Sequence, residues 1–131
     1  MNAANLYNFQ LTIACPWEFD PDLEILEINK ARVTIEREPL QAVVNADLVV
    51  TDVWRSMGQE QKRCMEKLAP YQVNAALMAQ AKEDALFMHC LPAHRGEEVT
   101  AEVLEGSQSI VWEEAGNRLH SQKALLEFLL L

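Results

Sequence analysis

The sequence predicts an α/β domain built on a mostly parallel, doubly wound sheet of about five strands with helices on both faces. Short apolar, β-branched runs alternate with helical-looking segments along the chain, the pattern of parallel strands joined by crossover helices. Half of the 131 residues are hydrophobic, which suits a sheet buried on both faces. The length supports one real core but not two ordinary domains, so residues 1–131 read as a single domain.

Met1 to Tyr7 holds about two helical turns and leads into a first strand, Phe9 to Cys15, which Pro16 breaks. Asp20-Pro21-Asp22 starts a helix over Leu23 to Asn29, and Ala31 to Ile35 is a second strand. Glu38-Pro39 suits the opening turn of a short helix through Val44. Leu48 to Thr51 is the third strand, with Asp52 at its carboxyl end. Gln59 to Leu68 reads as a helix, and Asn74 caps another through Lys82. The fourth strand is Ala85 to Met88; Thr100 caps a helix through Leu104; Gln108 to Trp112 is a fifth strand; a C-terminal helix runs from about Leu119. There is no internal repeat and no low-complexity linker.

Eleven basic residues against twenty acidic ones give a formal net charge of −9. That balance argues against a nucleic-acid or anionic-membrane surface, and any anionic ligand must be held by local positive groups. No apolar run approaches a bilayer span and no signal-peptide pattern opens the chain, so a soluble cytoplasmic protein is expected. Three widely spaced cysteines, Cys15, Cys64 and Cys90, do not suggest a disulfide framework. Cys15 and Cys64 read as buried or incidental thiols.

Chemistry concentrates in Phe87-Met88-His89-Cys90-Leu91-Pro92-Ala93-His94-Arg95-Gly96, where two histidines, a thiol and an arginine follow a short apolar strand. The carboxyl ends of parallel strands are where open α/β sheets bind ligands, although on spacing alone these residues equally fit a strand end with a polar loop. His89, Cys90 and His94 lack a second Cys or His pair at structural-zinc spacing, so neither metal nor cofactor is expected.

With Thr51-Asp52-Val53-Trp54-Arg55-Ser56-Met57-Gly58-Gln59-Glu60 upstream and Glu113-Glu114-Ala115-Gly116-Asn117-Arg118-Leu119-His120 downstream, His89 to Gly96 resembles the second half of ornithine carbamoyltransferase. The three motifs stand in family order, and the resemblance runs from about Asn8 to the C-terminus. It implies a Rossmann-like ornithine-binding domain whose family counterpart has one more strand and an asparagine-bearing turn ahead of the first helix. This chain has neither, so it reads as truncated at its N-terminus. The absent strand would lie between the strands at Leu11 and Val49, which must either pair directly or leave the sheet split. The helix over residues 119–131 is too apolar for solvent on every side and, by resemblance, packs on a carbamoyl-phosphate domain that the chain lacks, leaving an exposed apolar patch.

The family's reaction is attack by the side-chain amine of ornithine on carbamoyl phosphate, giving citrulline and phosphate. An alkyl ammonium has a pKa of about 10.4, so the site must capture the scarce neutral amine or remove a proton. By resemblance Asp52 pairs with the α-ammonium of ornithine, while Ser56 and Met57, on a turn allowed by Gly58, meet its α-carboxylate. Cys90 orients, or deprotonates, the attacking amine. The Leu91 carbonyl accepts from the carbamoyl NH₂, with Pro92 after a cis peptide, and Arg118 points at the carbamoyl oxygen where charge grows. His89, Pro92, His94 and Arg95 position the loop. Arg55 departs from a small or apolar family position. Gly116 stands where the family usually has glutamate, which loosens the loop holding Arg118.

The family's phosphate-gripping Ser-x-Arg-Thr and His-Pro-x-Gln strings are absent from this chain. The expected partners are therefore ornithine, carbamoyl phosphate and the enzyme's own carbamoyl-phosphate domain, which in the family also builds a homotrimer, and the chain alone is expected to be inactive. Two alternatives stand beside that reading: a non-catalytic amino-acid-binding or regulatory module derived from the domain, and a different carbamoyl acceptor. Asp52 argues against aspartate as that acceptor, since an extra substrate carboxylate would meet a carboxylate.

Overall fold

The computed structural model describes residues 1–54 and 62–131. The elements run α1 (Asn2–Tyr7), β1 (Leu11–Ala14), a 3₁₀ turn (Trp17–Phe19), α2 (Leu23–Asn29), β2 (Val33–Glu36), α3 (Pro39–Ala42), β3 (Leu48–Thr51), α4 (Lys62–Leu68), a second 3₁₀ turn (Ala69–Tyr71), α5 (Ala75–Met78), β4 (Leu86–His89), α6 (Ala101–Leu104) and α7 (Val111–Leu130). This is an α/β arrangement in which every named strand pair is parallel. The expected helix start at Gln59 and the side chain of Cys64 fall outside the described residues and atoms.

Local chemistry sets most boundaries. Asp22 caps α2 by accepting from the backbone N–H groups of Glu24 and Ile25, Asn74 caps α5 through Leu77 N–H at 3.0 Å, and Thr100 caps α6 through Val103 N–H at 3.4 Å. Pro39 opens α3, where its missing N–H costs nothing. Asn8 ends α1 in the left-handed conformation, φ 58°.

The sheet is split. Leu11 aligns with Val33 through to Ala14 with Glu36, and Leu48 with Leu86 through to Thr51 with His89, but among the described residues β1 and β3 do not pair. Of the two outcomes open to those strands, the structure takes the separated one. The core is correspondingly lopsided. Val43, Val73, Leu77, Met78, Phe87, Val99, Val103, Leu104 and Val111 form one buried cluster around β4, with Phe87, Val99 and Val111 wholly buried. The β1–β2 half is tied partly by polar contacts instead. Asn29, almost fully buried, donates to Ile25 O and Asn2 Oδ1 and accepts from Asn5 Nδ2, binding α1 to α2.

Among the described residues three elements depart by more than two residues from the bounds the sequence predicts. The fifth strand over Gln108 to Trp112 shrinks to one bridge, Ser109 beside Phe87, secured by Phe87 N–H to Gln108 O (2.8 Å) and Ile110 N–H to Phe87 O (3.0 Å). Helix α7 then begins at Val111 rather than Leu119. Val111 is drawn into the core as the first helical residue, and Glu113 and Glu114 suit the positive end of the helix dipole. Helix α5 stops at Met78 rather than Lys82 because the next amides turn back to carbonyls three residues earlier and Lys82 N–H is taken by Ala46 O at 3.2 Å. From Ala115 to Leu131 every residue of the C-terminal segment is exposed, including Leu119, Leu125, Leu126, Phe128, Leu129 and Leu130. Among the described residues no helix is long and apolar enough to cross a membrane.

Candidate functional site at the carboxyl ends of β3 and β4

Register brings the first two candidate residues together. Thr51 is aligned with His89 at the last step of the β3–β4 ladder, so the next residues, Asp52 and Cys90, leave the sheet side by side. The Cys90 thiol donates to Asp52 Oδ1 at 3.1 Å. That hydrogen bond, partial burial and the negative charges of Asp52 and Glu114 push the thiol above its ordinary value of 9.0, so Cys90 is protonated at neutral pH. Glu114, in the first turn of α7, reaches the site electrostatically, and its Oε2 is buried with no hydrogen-bond partner among the described residues. Sequence reading passed it over, because with the C-terminal helix expected from about Leu119 it fell in the connection after the fifth strand.

The loop after Cys90 is held by a buried polar cluster. Leu91 N–H donates to His89 Nδ1 at 2.9 Å, and His89 Nε2 lies 3.1 Å from Glu98 Oε1; His89 and Glu98 are both fully buried. Glu98 Oε1 also accepts from His94 N–H at 2.6 Å, while Glu98 Oε2 stands 3.9 Å from His94 Nδ1 and has no hydrogen bond among the described residues. Leu91 adopts φ 50° and the Leu91–Pro92 peptide is cis. Gly96, φ 85°, makes the return turn that needs glycine, and its N–H donates to Val99 O at 2.8 Å. Gln72 Nε2 clasps the same turn through Gly96 O (3.0 Å) and Glu97 O (2.8 Å). Arg95 Nε donates to Glu105 Oε1 at 2.8 Å, an exposed pair. His94, Glu97 and Glu98 each offer a donor atom within 4.8 Å of the others, close enough to share a cation. Glu98 Oε1 is already committed to the loop, however.

Arg118 lies inside a continuous helix, seven residues beyond the start of α7, or about 10 Å along its axis. It is exposed, and so is Gly116, which is helical and so does not loosen a loop. Glu114 and Arg118 are four residues apart and share one helix face, so Arg118 projects from the side of α7 whose first turn reaches Cys90. Ser56 and Met57, expected to meet the α-carboxylate, lie outside the described residues together with Arg55 and Gly58. A shallow surface depression lined by Trp54, Gln72, Gly96 and Glu97 neighbours the loop without including Cys90 or Arg118.

Comparison with known proteins gives this geometry its setting. The family model for the aspartate/ornithine carbamoyltransferase Asp/Orn binding domain matches residues 1–129. An ornithine carbamoyltransferase of Nitrosococcus oceani is 62% identical over 133 residues, covering 100% of this chain and 44% of the relative, and one from Methylococcus capsulatus is 61% identical over 99% of this chain and 44% of its own length. Among solved structures, ornithine carbamoyltransferase from Burkholderia thailandensis superposes with a TM-score of 0.87 at 45% identity, covering 98% of this chain and 41% of that one. The anabolic enzyme from Campylobacter jejuni gives 0.88 at 34% identity, with 96% and 44% covered. The chain thus spans less than half the length of these relatives. It belongs to the aspartate/ornithine carbamoyltransferase family, which it matches through the Asp/Orn-binding domain.

Proposed function

We propose that this chain supplies the ornithine-side wall of a carbamoyltransferase site, carrying the carbamoyl group from carbamoyl phosphate to the side-chain amine of ornithine, and that it turns over only with a carbamoyl-phosphate domain. The carrying observation is the Asp52–Cys90 pair, 3.1 Å apart at adjacent strand ends, with the Leu91 backbone held in a fixed turn beside it. Two carboxylates, Asp52 and Glu114, act on this spot, a field that favours a substrate bearing two amines and disfavours an aspartate acceptor.

In this reading the Asp52 carboxylate takes the α-ammonium and Ser56 and Met57 the α-carboxylate. A protonated Cys90 orients the amine without serving as its base. The neutral amine attacks the carbamoyl carbon, the new C–N bond forming as the C–O bond to phosphate breaks; the departing phosphate takes the surplus proton of the amine, and the Leu91 carbonyl fixes the carbamoyl NH₂. Arg118 faces the oxygen that gains charge, where a well-placed donor is worth about 10²–10³ in rate. The apolar C-terminal half of α7 is the surface that the carbamoyl-phosphate domain covers, and that domain builds the homotrimer. The test is citrulline production by the chain alone and with a separately supplied carbamoyl-phosphate domain. Turnover should appear only in the second case. Turnover by the isolated chain, or none in either case despite complex formation, would overturn the proposal.

A further inference from the structure

The fully buried Glu98 has no part in the chemistry described above, yet it contacts both histidines of the loop. From this geometry we infer that Glu98 is a positioning residue, which fixes the tautomer of His89 and thereby the orientation of the Leu91 backbone. The proton inventory leaves one arrangement. Leu91 N–H donates to His89 Nδ1, so that nitrogen carries a lone pair and no proton. The ring's proton is then on Nε2, where Glu98 Oε1, 3.1 Å away, accepts it. A carboxylate is an acceptor only, so the contact selects this tautomer and excludes the other. Were the proton on Nδ1, two donors would face each other at 2.9 Å and Nε2 would face a carboxylate lone pair.

The consequence reaches the reacting groups through Leu91. A leucine at φ 50° is held in a sparsely populated conformation and needs its surroundings to keep it there. Among the described residues, the bond from its N–H to His89 is the hold on that amide. The same Glu98 oxygen takes His94 N–H at 2.6 Å, so a single buried carboxylate clamps the loop on both sides of the Leu91–Pro92 peptide. The Leu91 carbonyl is thereby aimed by a side chain seven residues downstream. This inference rests on the proposed function only where turnover is concerned; the tautomer assignment needs none.

The experiment has two arms. Nitrogen-15 NMR of the labelled chain reads the His89 imidazole directly. The expected spectrum is a protonated Nε2 and a bare Nδ1 at neutral pH, retained in Glu98→Gln, whose amide oxygen accepts the same proton, and lost in Glu98→Leu. A proton on Nδ1 in the unaltered chain would overturn the inference even if Glu98→Leu failed to fold. In the second arm, with a carbamoyl-phosphate domain supplied, Glu98→Leu should lower kcat about 100-fold, the scale of a misplaced reacting group. Its ornithine affinity by calorimetry should stay unchanged, and Glu98→Gln should restore most of the turnover. An equal loss of ornithine binding and kcat would mark Glu98 as merely structural and refute the positioning role. Absence of citrulline from the unaltered pair would instead refute the proposed function, leaving the NMR arm to decide the tautomer.

Discussion

Arg118→Met separates a catalytic arginine from a structural one. Arg118 is exposed on α7, and no hydrogen bond or ion pair among the described residues engages it. Arginine and methionine have nearly equal helix propensity, and position eight of a twenty-residue helix is too far from either end for the dipole to matter. The substitution should therefore change stability by no more than about 0.5 kcal/mol, a shift in Tm of at most about 2–3 °C for a chain of this size. If Arg118 faces the carbamoyl oxygen, the same change removes a donor from the transition state and kcat should fall by about 10²–10³. Thermal denaturation of the chain alone gives the first quantity, and the citrulline assay with a carbamoyl-phosphate domain gives the second. A large fall in Tm would mean that α7 depends on Arg118 for packing. An undiminished kcat would mean that the arginine never reaches the carbamoyl group, and either result refutes the reasoning.

Asp52→Asn removes the largest cause of the raised Cys90 thiol value, so alkylation of Cys90 followed against pH should begin at lower pH than in the unaltered chain; an unmoved or upward-shifted profile would contradict the assigned contact. The Asp20 carboxylate is held below its ordinary 3.8 by hydrogen bonds from Arg37, at 2.5 and 2.9 Å. A depressed acid contributes stability that is complete above its unfolded value and lost as pH falls through its folded one. Urea unfolding should accordingly weaken below about pH 4 in part through Asp20, and Asp20→Asn should flatten that part of the curve. Phe87→Ala, at a residue with no exposure in the centre of the main cluster, should cost about 3–5 kcal/mol by urea denaturation; a cost near 1 kcal/mol would mean that the core around β4 collapses to fill the space. Arg95→Ala breaks only a half-exposed pair with Glu105 and should cost under about 1 kcal/mol in the same assay.

What could be read from the sequence was whatever local rules decide. Asp22, Asn74 and Thr100 cap helices because a short oxygen-bearing side chain at a helix start answers an orphan N–H wherever it stands. Leu48 to Thr51 is a strand with the expected bounds, and with β4 in parallel register the adjacency of Asp52 and Cys90 follows. The misread stretch, Gln108 to Trp112, has strand-forming residues whose fate is tertiary. Phe87 offers a place for one bridging residue, after which Val111 is worth more as a buried helix start than as a strand position. Asn29 and Glu98 were not legible for a related reason. Nothing in composition or spacing marks a polar residue as buried; the marks are its partners, and the side chains among them lie 24 to 27 residues away for Asn29 and across the Gly96 turn for Glu98.

The lopsided core bears on how such a half-site keeps its shape. β3 and β4 stand on opposite sides of one ladder, with Phe87 and the buried cluster of Val73, Leu77, Val99 and Val103 beneath β4. The loop bearing Cys90 and Leu91 is pinned to that same cluster through His89, Glu98 and Val99. Among the described residues the β1–β2 pair shares no ladder with them and depends more on hydrogen bonds such as those of Asn29. Loosening of β1–β2 should thus leave the Asp52–Cys90 spacing intact, because none of the groups that set it belongs to that half. Amide exchange would show this as fast exchange in residues 11–36 beside protected amides in 86–91, two levels of local stability within one chain. Equal protection across both pairs would mean that the split ladder still unfolds as one unit, and that the site has no separate support.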